Sequence, residues 1–113
     1  MIITELIDLT KRIIDIAHRI DLEKAELSKL AQDKAESEKV YRIALCQELL
    51  KLKTENCQMA IISDIARGRI ADLKFARDCN DAMYSAARES IGASLAQLNA
   101  FQSLLRIMRD IGE

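Results

Sequence analysis

The chain contains no proline, no tryptophan and only three glycines among its 113 residues. Proline and glycine are the residues that most often end or interrupt a helix, so their scarcity permits unusually long helices. Aromatic residues are also rare, with two phenylalanines and two tyrosines in a chain that is 50% hydrophobic. We therefore expect a helical protein whose core is aliphatic and rich in alanine.

Neither sign of charge dominates, because 17 basic residues stand against 18 acidic ones and the net charge is −1. This balance argues against general affinity for nucleic acid, which usually appears as net positive charge. No apolar run approaches the roughly 18 residues that cross a bilayer. Glu5 and Asp8 stand where a signal peptide would be basic. We expect a cytoplasmic protein without membrane contact, in keeping with three cysteines in no disulfide-framework spacing.

Metal and enzyme chemistry lack the residues that they require. No two cysteines have C-x-x-C spacing, and in a helical hairpin His18 lies about 40 Å along the first helix from the cysteines. No serine lies in a G-x-S-x-G sequence, and the isolated Gly68 forms no phosphate loop. We therefore predict no enzyme, no catalytic residue, no cofactor, no metal and no small-molecule substrate. We interpret His18 as a solvated residue and the free cysteines as small buried hydrophobes, namely Cys46, Cys57 and Cys79.

Two long segments carry helical periodicity, at about residues 3–53 and 69–111. The chain turns back in the segment between them, 54–68, where apolar residues predict a short helix ended by Gly68 in the left-handed conformation. Helix 1 is expected to open near Thr4, whose hydroxyl can cap free backbone N–H groups. The sequence thus predicts one all-α domain over the whole chain, a long antiparallel hairpin with coiled-coil-like packing and a short helix at its tip.

The seam residues of both helices, most of them apolar, recur three and four positions apart, the coiled-coil spacing. In helix 2 the middle of the seam is made of small residues around Gly92, which costs about 1 kcal/mol relative to alanine inside a helix. Folding the hairpin about residue 60 places Ser90–Ser94 opposite residues 27–31. We predict the closest approach of the two helices there. The clearest seam in helix 1 is Leu6, Leu9, Ile13, Ile16 and Ile20.

The open end of the predicted hairpin carries more apolar surface than a two-helix contact needs. One neighbour requires an apolar stripe about 100° wide, whereas segments 2–20 and 95–111 are apolar over about half of the helix circumference. Such a surplus usually marks an interface, so we predict dimerisation into a four-helix bundle. Helix ends that wrap round the surplus are one alternative. A membrane-surface helix is a weaker one, because its polar face is usually rich in lysine and arginine, whereas here acidic and basic residues alternate. The predicted oligomer interface is Ile3, Ile7, Ile14, Leu98, Phe101, Leu104, Leu105 and Met108.

Basic residues gather at the predicted tip, where they outnumber the acidic ones by two. This excess is able to contact phosphates or an acidic patch on a protein, and ordinary ion pairs at a solvated helix end are the simplest alternative. Only Phe75 is interleaved with the basic residues, so a platform for base stacking is poorly supported. These six residues, called the tip cations below, are Lys51, Lys53, Arg67, Arg69, Lys74 and Arg77.

The runs YRIAL (41–45), ISDIARG (62–68), ADLKFARD (71–78) and AMY (82–84) resemble small helical proteins encoded by phages and prophages of Gram-positive bacteria. The resemblance covers roughly residues 40–100 and contains no catalytic motif. It implies a small accessory protein in a bacterial cytoplasm that binds host or phage machinery. We therefore expect a non-enzymatic factor that binds another protein through its tip. A nucleic-acid-binding accessory of recombination or replication and a structural spacer in a larger assembly are the alternatives.

Overall fold

The computed structural model describes residues 2–56 and 58–112, and all regular secondary structure in these ranges is helical. Helix α1 spans Ile2–Thr54, α2 spans Met59–Arg69 and α3 spans Ala71–Gly112. The predicted all-α class and the order of two long helices around a short one are confirmed. Within the described ranges, no helix has the length and apolar composition that crossing a membrane requires.

The chain forms two compact units, and each contains a segment of α1 and a segment of α3. The terminal unit comprises the residues up to Ser28 and those from Ala86 onward. The middle unit comprises Lys29–Ser85 and therefore contains all of α2.

In the terminal unit, α1 and α3 run antiparallel. Arg19 Nη2 donates a hydrogen bond to Gln97 Oε1 at 3.0 Å, and Ser94 Oγ donates to Glu23 Oε1 at 3.4 Å. The residue numbers of the bonded partners thus rise along α1 as they fall along α3, and the midpoint of each pair in the sequence lies at about residue 58. Ser94 therefore lies about one helical turn from its predicted position opposite residues 27–31, because the turn is centred earlier than residue 60. The buried apolar residues of this unit are Leu9, Ile16, Ile20 and Ile91.

The core of the middle unit lies where α2 packs on the end of α1. Leu52 and Ala66 are fully buried and Ile62 nearly so. These apolar side chains supply the main hydrophobic driving force for placing α2. The partly buried residues packed against this cluster are Leu45, Leu49 and Ile65.

The predicted role of Gly68 is wrong. Gly68 lies inside α2, and no described glycine has a positive φ. The left-handed residue is instead Asn56, with φ of 60° at the end of α1, a conformation that asparagine tolerates better than most residues. The break between α2 and α3 is the single buried residue Ile70, whose N–H still donates to the carbonyl of Ala66 at 3.3 Å. No reversal of chain direction is needed there, so no glycine is required.

Two further expectations about local structure are corrected. Helix α1 already includes Ile2, so Thr4 lies inside the first turn rather than before it. A Cβ atom at Gly92 would meet no heavy atom within 4 Å, so this glycine does not serve a close approach of the helices.

Candidate interaction surfaces

The terminal unit exposes an apolar row on α1 that its own fold leaves uncovered. Ile3 is 73% exposed, and Ile7 and Ile14 are each 51% exposed. Their spacing of four and seven residues keeps them on one side of the helix. We call these residues the α1 row; all three belong to the predicted interface.

A second exposed row lies on α3 of the same unit. Leu104, Ile107 and Ile111 are 45%, 55% and 71% exposed and are spaced three and four residues apart. Only Leu104 was in the predicted interface. The missed residues Ile107 and Ile111 could have been found from this spacing, which repeats the coiled-coil pattern on a second side of the helix. We call these residues the α3 row.

The two rows open to different sides of the terminal unit. Leu104 lines an open groove of about 280 Å³ between the helices, and α1 contributes Asp8 and Arg12 to that groove. At about 100° per residue, Ile7 and Ile14 lie roughly 100–160° around α1 from these charged side chains. A single flat contact with a second molecule would therefore cover one row and leave the other accessible.

The remaining predicted interface residues are half-buried, which distinguishes them from the two rows. They continue the row of α3 that contains the buried Ile91 and Ser94, so they belong to the seam within the unit. Phe101 and Met108 also line the groove that Leu104 borders. This half-buried set is Leu98, Phe101, Leu105 and Met108.

Three of the six tip cations are engaged in ion pairs within the middle unit. Arg69 lies 3.3 Å from Glu48 and 3.8 Å from Glu55, which ties α2 to the end of α1. Lys74 pairs with Asp78 at 3.4 Å along α3. These pairs are at least partly solvent-exposed and add little to stability, but they occupy cations that the sequence presents as available.

Among the tip cations, Arg77 has the most contacts within the protein. Its guanidinium lies 2.9 Å from Asp78, 3.6 Å from Glu38 and 4.2 Å from the ring centroid of the buried Tyr41. The hydrogen bond to Asp78 raises the pKa of Arg77, and the same bond lowers the pKa of the Asp78 carboxyl. Arg77 thus joins α3 to α1 through Glu38 and Tyr41, and its charge is already paired within the protein.

The other three tip cations remain accessible. Lys51, Lys53 and Arg67 are exposed, and none forms an ion pair within the described part of the chain. Two lie in the last turn of α1 and one lies near the end of α2. Three of the six predicted tip cations are therefore unpaired among the residues that the structure describes.

Within the described ranges, the histidine and cysteine side chains do not come together as a set of metal ligands. His18 is exposed, as predicted. Cys46 is also exposed and Cys79 is half-buried, so the prediction of a buried thiol is wrong for Cys46. Cys57 lies outside the described residues. Among the residues that are described, no three histidine, cysteine, aspartate or glutamate side chains are grouped to hold a metal ion.

These features define an all-α protein whose described surface presents exposed apolar rows and a small set of unpaired cations. No family model matches the chain, and no curated protein or solved structure is similar enough to count as a match.

Proposed function

We propose that this protein is a non-enzymatic interaction factor that self-associates through its terminal unit and binds a further protein through its middle unit. The observation that carries the proposal is the α1 row, three large isoleucines that are half or more exposed at helix-packing spacing. Exposed apolar surface of this regularity weakens solubility unless a partner covers it. A facing helix is the natural cover, because its side chains interdigitate with the same spacing.

A second copy of the chain is the proposed partner of the α1 row. In a two-fold dimer the same patch meets itself, so the isoleucines of one α1 pack against those of the other. Each α1 brings its own α3 segment, and the contact becomes a four-helix arrangement. Because the α3 row opens to a different side, it remains free in such a dimer and available for a larger assembly.

The test is the mass of the protein in solution. We expect sedimentation equilibrium of the wild type to give twice the chain mass or more, and the double variant Ile7→Asp/Ile14→Asp to give the chain mass with unchanged helix content. Phe75→Asp is the control, because Phe75 is 71% exposed but lies in the middle unit. A wild type that is monomeric across the concentration series would refute the self-association.

A role in binding and modulating another protein, as an accessory factor of phage origin, is supported by the resemblance of residues 40–100 and by the accessible cations Lys51, Lys53 and Arg67. These cations suit an acidic surface. Pull-down from a bacterial lysate with and without nuclease separates a protein partner, which survives nuclease, from one tethered by nucleic acid.

Nucleic-acid binding is the second candidate, and the same three cations favour it. About three phosphate contacts per chain would make log K fall with log salt at a slope near −3 for duplex DNA. The charge reversal Lys51→Glu/Arg67→Glu should abolish this binding without unfolding the protein. Arg69 is unsuitable for reversal because it pairs with Glu48. Binding that does not depend on salt concentration, or that persists in the double variant, would rule out nucleic-acid binding. A protein that binds neither another protein nor nucleic acid would instead favour the role of a structural spacer.

A further inference from the structure

Helix α1 carries another exposed row in the middle unit, centred on a thiol. Ile43 is 48% exposed, Leu50 is 61% exposed and Cys46 between them is exposed as well. A lysine continues the row at each end, and the five positions are spaced four, three, four and three residues apart. This is the repeat with which one helix packs along another. The row, called the Cys46 row, is Lys39, Ile43, Cys46, Leu50 and Lys53.

An open groove of about 350 Å³ runs beside the Cys46 row, and its lining has the pattern of a helix-docking surface. In a coiled coil, four residues at positions i, i+3, i+4 and i+7 form a hole that receives one side chain from the facing helix. The lining contains two such sets that overlap, 42–45–46–49 and 46–49–50–53. Two of the lining residues, Leu45 and Leu49, also pack on the core of the unit, so this part of the groove is firmly supported. The lining residues are Arg42, Leu45, Cys46, Leu49, Leu50 and Lys53.

The charges around the groove favour a negatively charged partner. From Lys39 to Thr54 the chain has four basic residues and one acidic residue, Glu48, which is paired with Arg69. Of the four, Arg42 is paired with Glu38, so the free positive charge comes from the lysines. Lys39 and Lys53 form no ion pair within the described residues. Positive groups at both ends of an apolar row are complemented by acidic groups at both ends of a partner's row.

A second copy of the Cys46 row does not suit this surface. The lysines are seven residues on either side of Cys46. Antiparallel pairing centred on the thiol would set Lys39 against Lys53, and parallel pairing would set each lysine against its own copy. Both arrangements bring like charges together, which disfavours self-pairing.

We propose that the Cys46 row and its groove dock an amphipathic helix of another protein, one with aliphatic side chains at three- and four-residue spacing and acidic residues at the ends of that stripe. The inference rests on the proposed interaction function and names the chemistry of its partner. The row spans about 21 Å, so a helix of roughly 15 residues covers it.

The probe is a fluorescein-labelled 18-residue amphipathic peptide (about five turns) with a leucine stripe flanked by glutamates, and its match has lysines in place of the glutamates. In fluorescence anisotropy, the wild type is expected to bind the glutamate peptide at least about tenfold more tightly than the lysine peptide, a difference of about 1.4 kcal/mol. Leu50→Glu should abolish this binding, and Lys39→Glu/Lys53→Glu should reverse the preference. Met83→Glu, at a residue 52% exposed on α3, is the matched control and should bind like the wild type.

Cys46 provides a second, site-specific readout. In a Cys57→Ser/Cys79→Ser background, the glutamate peptide should slow the reaction of Cys46 with a thiol reagent, whereas the lysine peptide should not. Equal binding of both peptides, unchanged binding by Leu50→Glu, or unprotected Cys46 would overturn the proposal. So would attachment to anionic lipid vesicles that depends on Leu50 when neither peptide binds, because the partner would then be a membrane surface.

Failure of this inference is distinguishable from failure of self-association. Leu50→Glu should keep the wild-type mass in sedimentation, and Ile7→Asp/Ile14→Asp should keep the peptide affinity. If the wild type dimerises but does not bind the glutamate peptide, only the helix-docking proposal is refuted.

Discussion

Arg77 illustrates how the meaning of a residue changes once its neighbours are known. Its side chain is only 26% exposed because it lies between Glu38, Asp78 and the ring of Tyr41. The contacts of Arg77 with Glu38 and with the ring face of Tyr41 link α3 to α1, whereas Arg67 makes no such contact.

We therefore expect Arg77→Ala to lower the urea midpoint of unfolding and Arg67→Ala to leave it unchanged. Both variants truncate an arginine to alanine, but Arg77 has partners within the protein and Arg67 has none in the described part of the chain, so each variant is the control for the other. Equal midpoints in both variants would show that the contacts of Arg77 contribute nothing to stability.

The Asp78 carboxyl offers a second residue-scale prediction. Its folded-state pKa is lowered by the hydrogen bond from Arg77 and by Lys74. A lowered folded pKa means that the stabilisation is present above the unfolded value of about 3.9 and is lost as the pH falls through the folded value. Carboxyl-carbon NMR should place the midpoint of Asp78 below that of an ordinary aspartate, and Arg77→Gln should raise it. An unshifted midpoint in the wild type would contradict the ion pair.

Gly92 lies in the interior of α3, with open space where its Cβ would stand. Gly92→Ala is therefore expected to stabilise the protein by roughly 1 kcal/mol, since alanine loses less backbone entropy in a helix and meets no clash. Urea unfolding measures the change. Gly68→Ala, in an equally open position inside α2, should act in the same direction. Destabilisation by both substitutions would mean that neighbouring atoms occupy the space where the Cβ atoms would stand.

At the scale of the element, α2 depends on a small cluster rather than on its own propensity. An isolated 11-residue helix is marginal in water, so its packing through Ile62 and Ala66 on Leu52 must stabilise it. The ion pair of Arg69 with Glu48 is exposed and adds little.

Leu52→Ala should accordingly lower the free energy of unfolding by about 2–5 kcal/mol, because Leu52 is fully buried and its truncation leaves a cavity. Leu50→Ala is the matched control, two positions away and 61% exposed, and should change stability by no more than about 0.5 kcal/mol. Comparable losses in the two variants would contradict the placement of α2.

At the scale of the whole molecule, the terminal unit presents the α1 row to solvent, and the middle unit presents the Cys46 row. Burial of the α1 row by a second copy links folding to association, so stability depends on protein concentration. We expect the Tm of the wild type to rise with concentration and that of Ile7→Asp/Ile14→Asp to stay constant, as measured by circular dichroism. A Tm independent of concentration in both proteins would argue against the dimer.

The amino-acid pattern was sufficient to predict the class of fold and the approximate bounds of the helices. Periodicities of three and four residues and the absence of proline leave few alternatives to long helices, and α1 and α3 end within two residues of the predicted limits. The exposure of His18 also followed from its place outside the apolar stripe. These properties are local, because each depends on neighbours in the same helix.

Tertiary structure alone decided the register, the turn and the availability of surface groups. Ser94 meets Glu23, about one helical turn from its predicted position opposite residues 27–31. The left-handed residue is Asn56 and not Gly68. The same packing engages Arg77 and exposes Cys46. A side chain's partners on another helix depend on how the two helices are aligned, and helical spacing within one segment contains no information about that alignment.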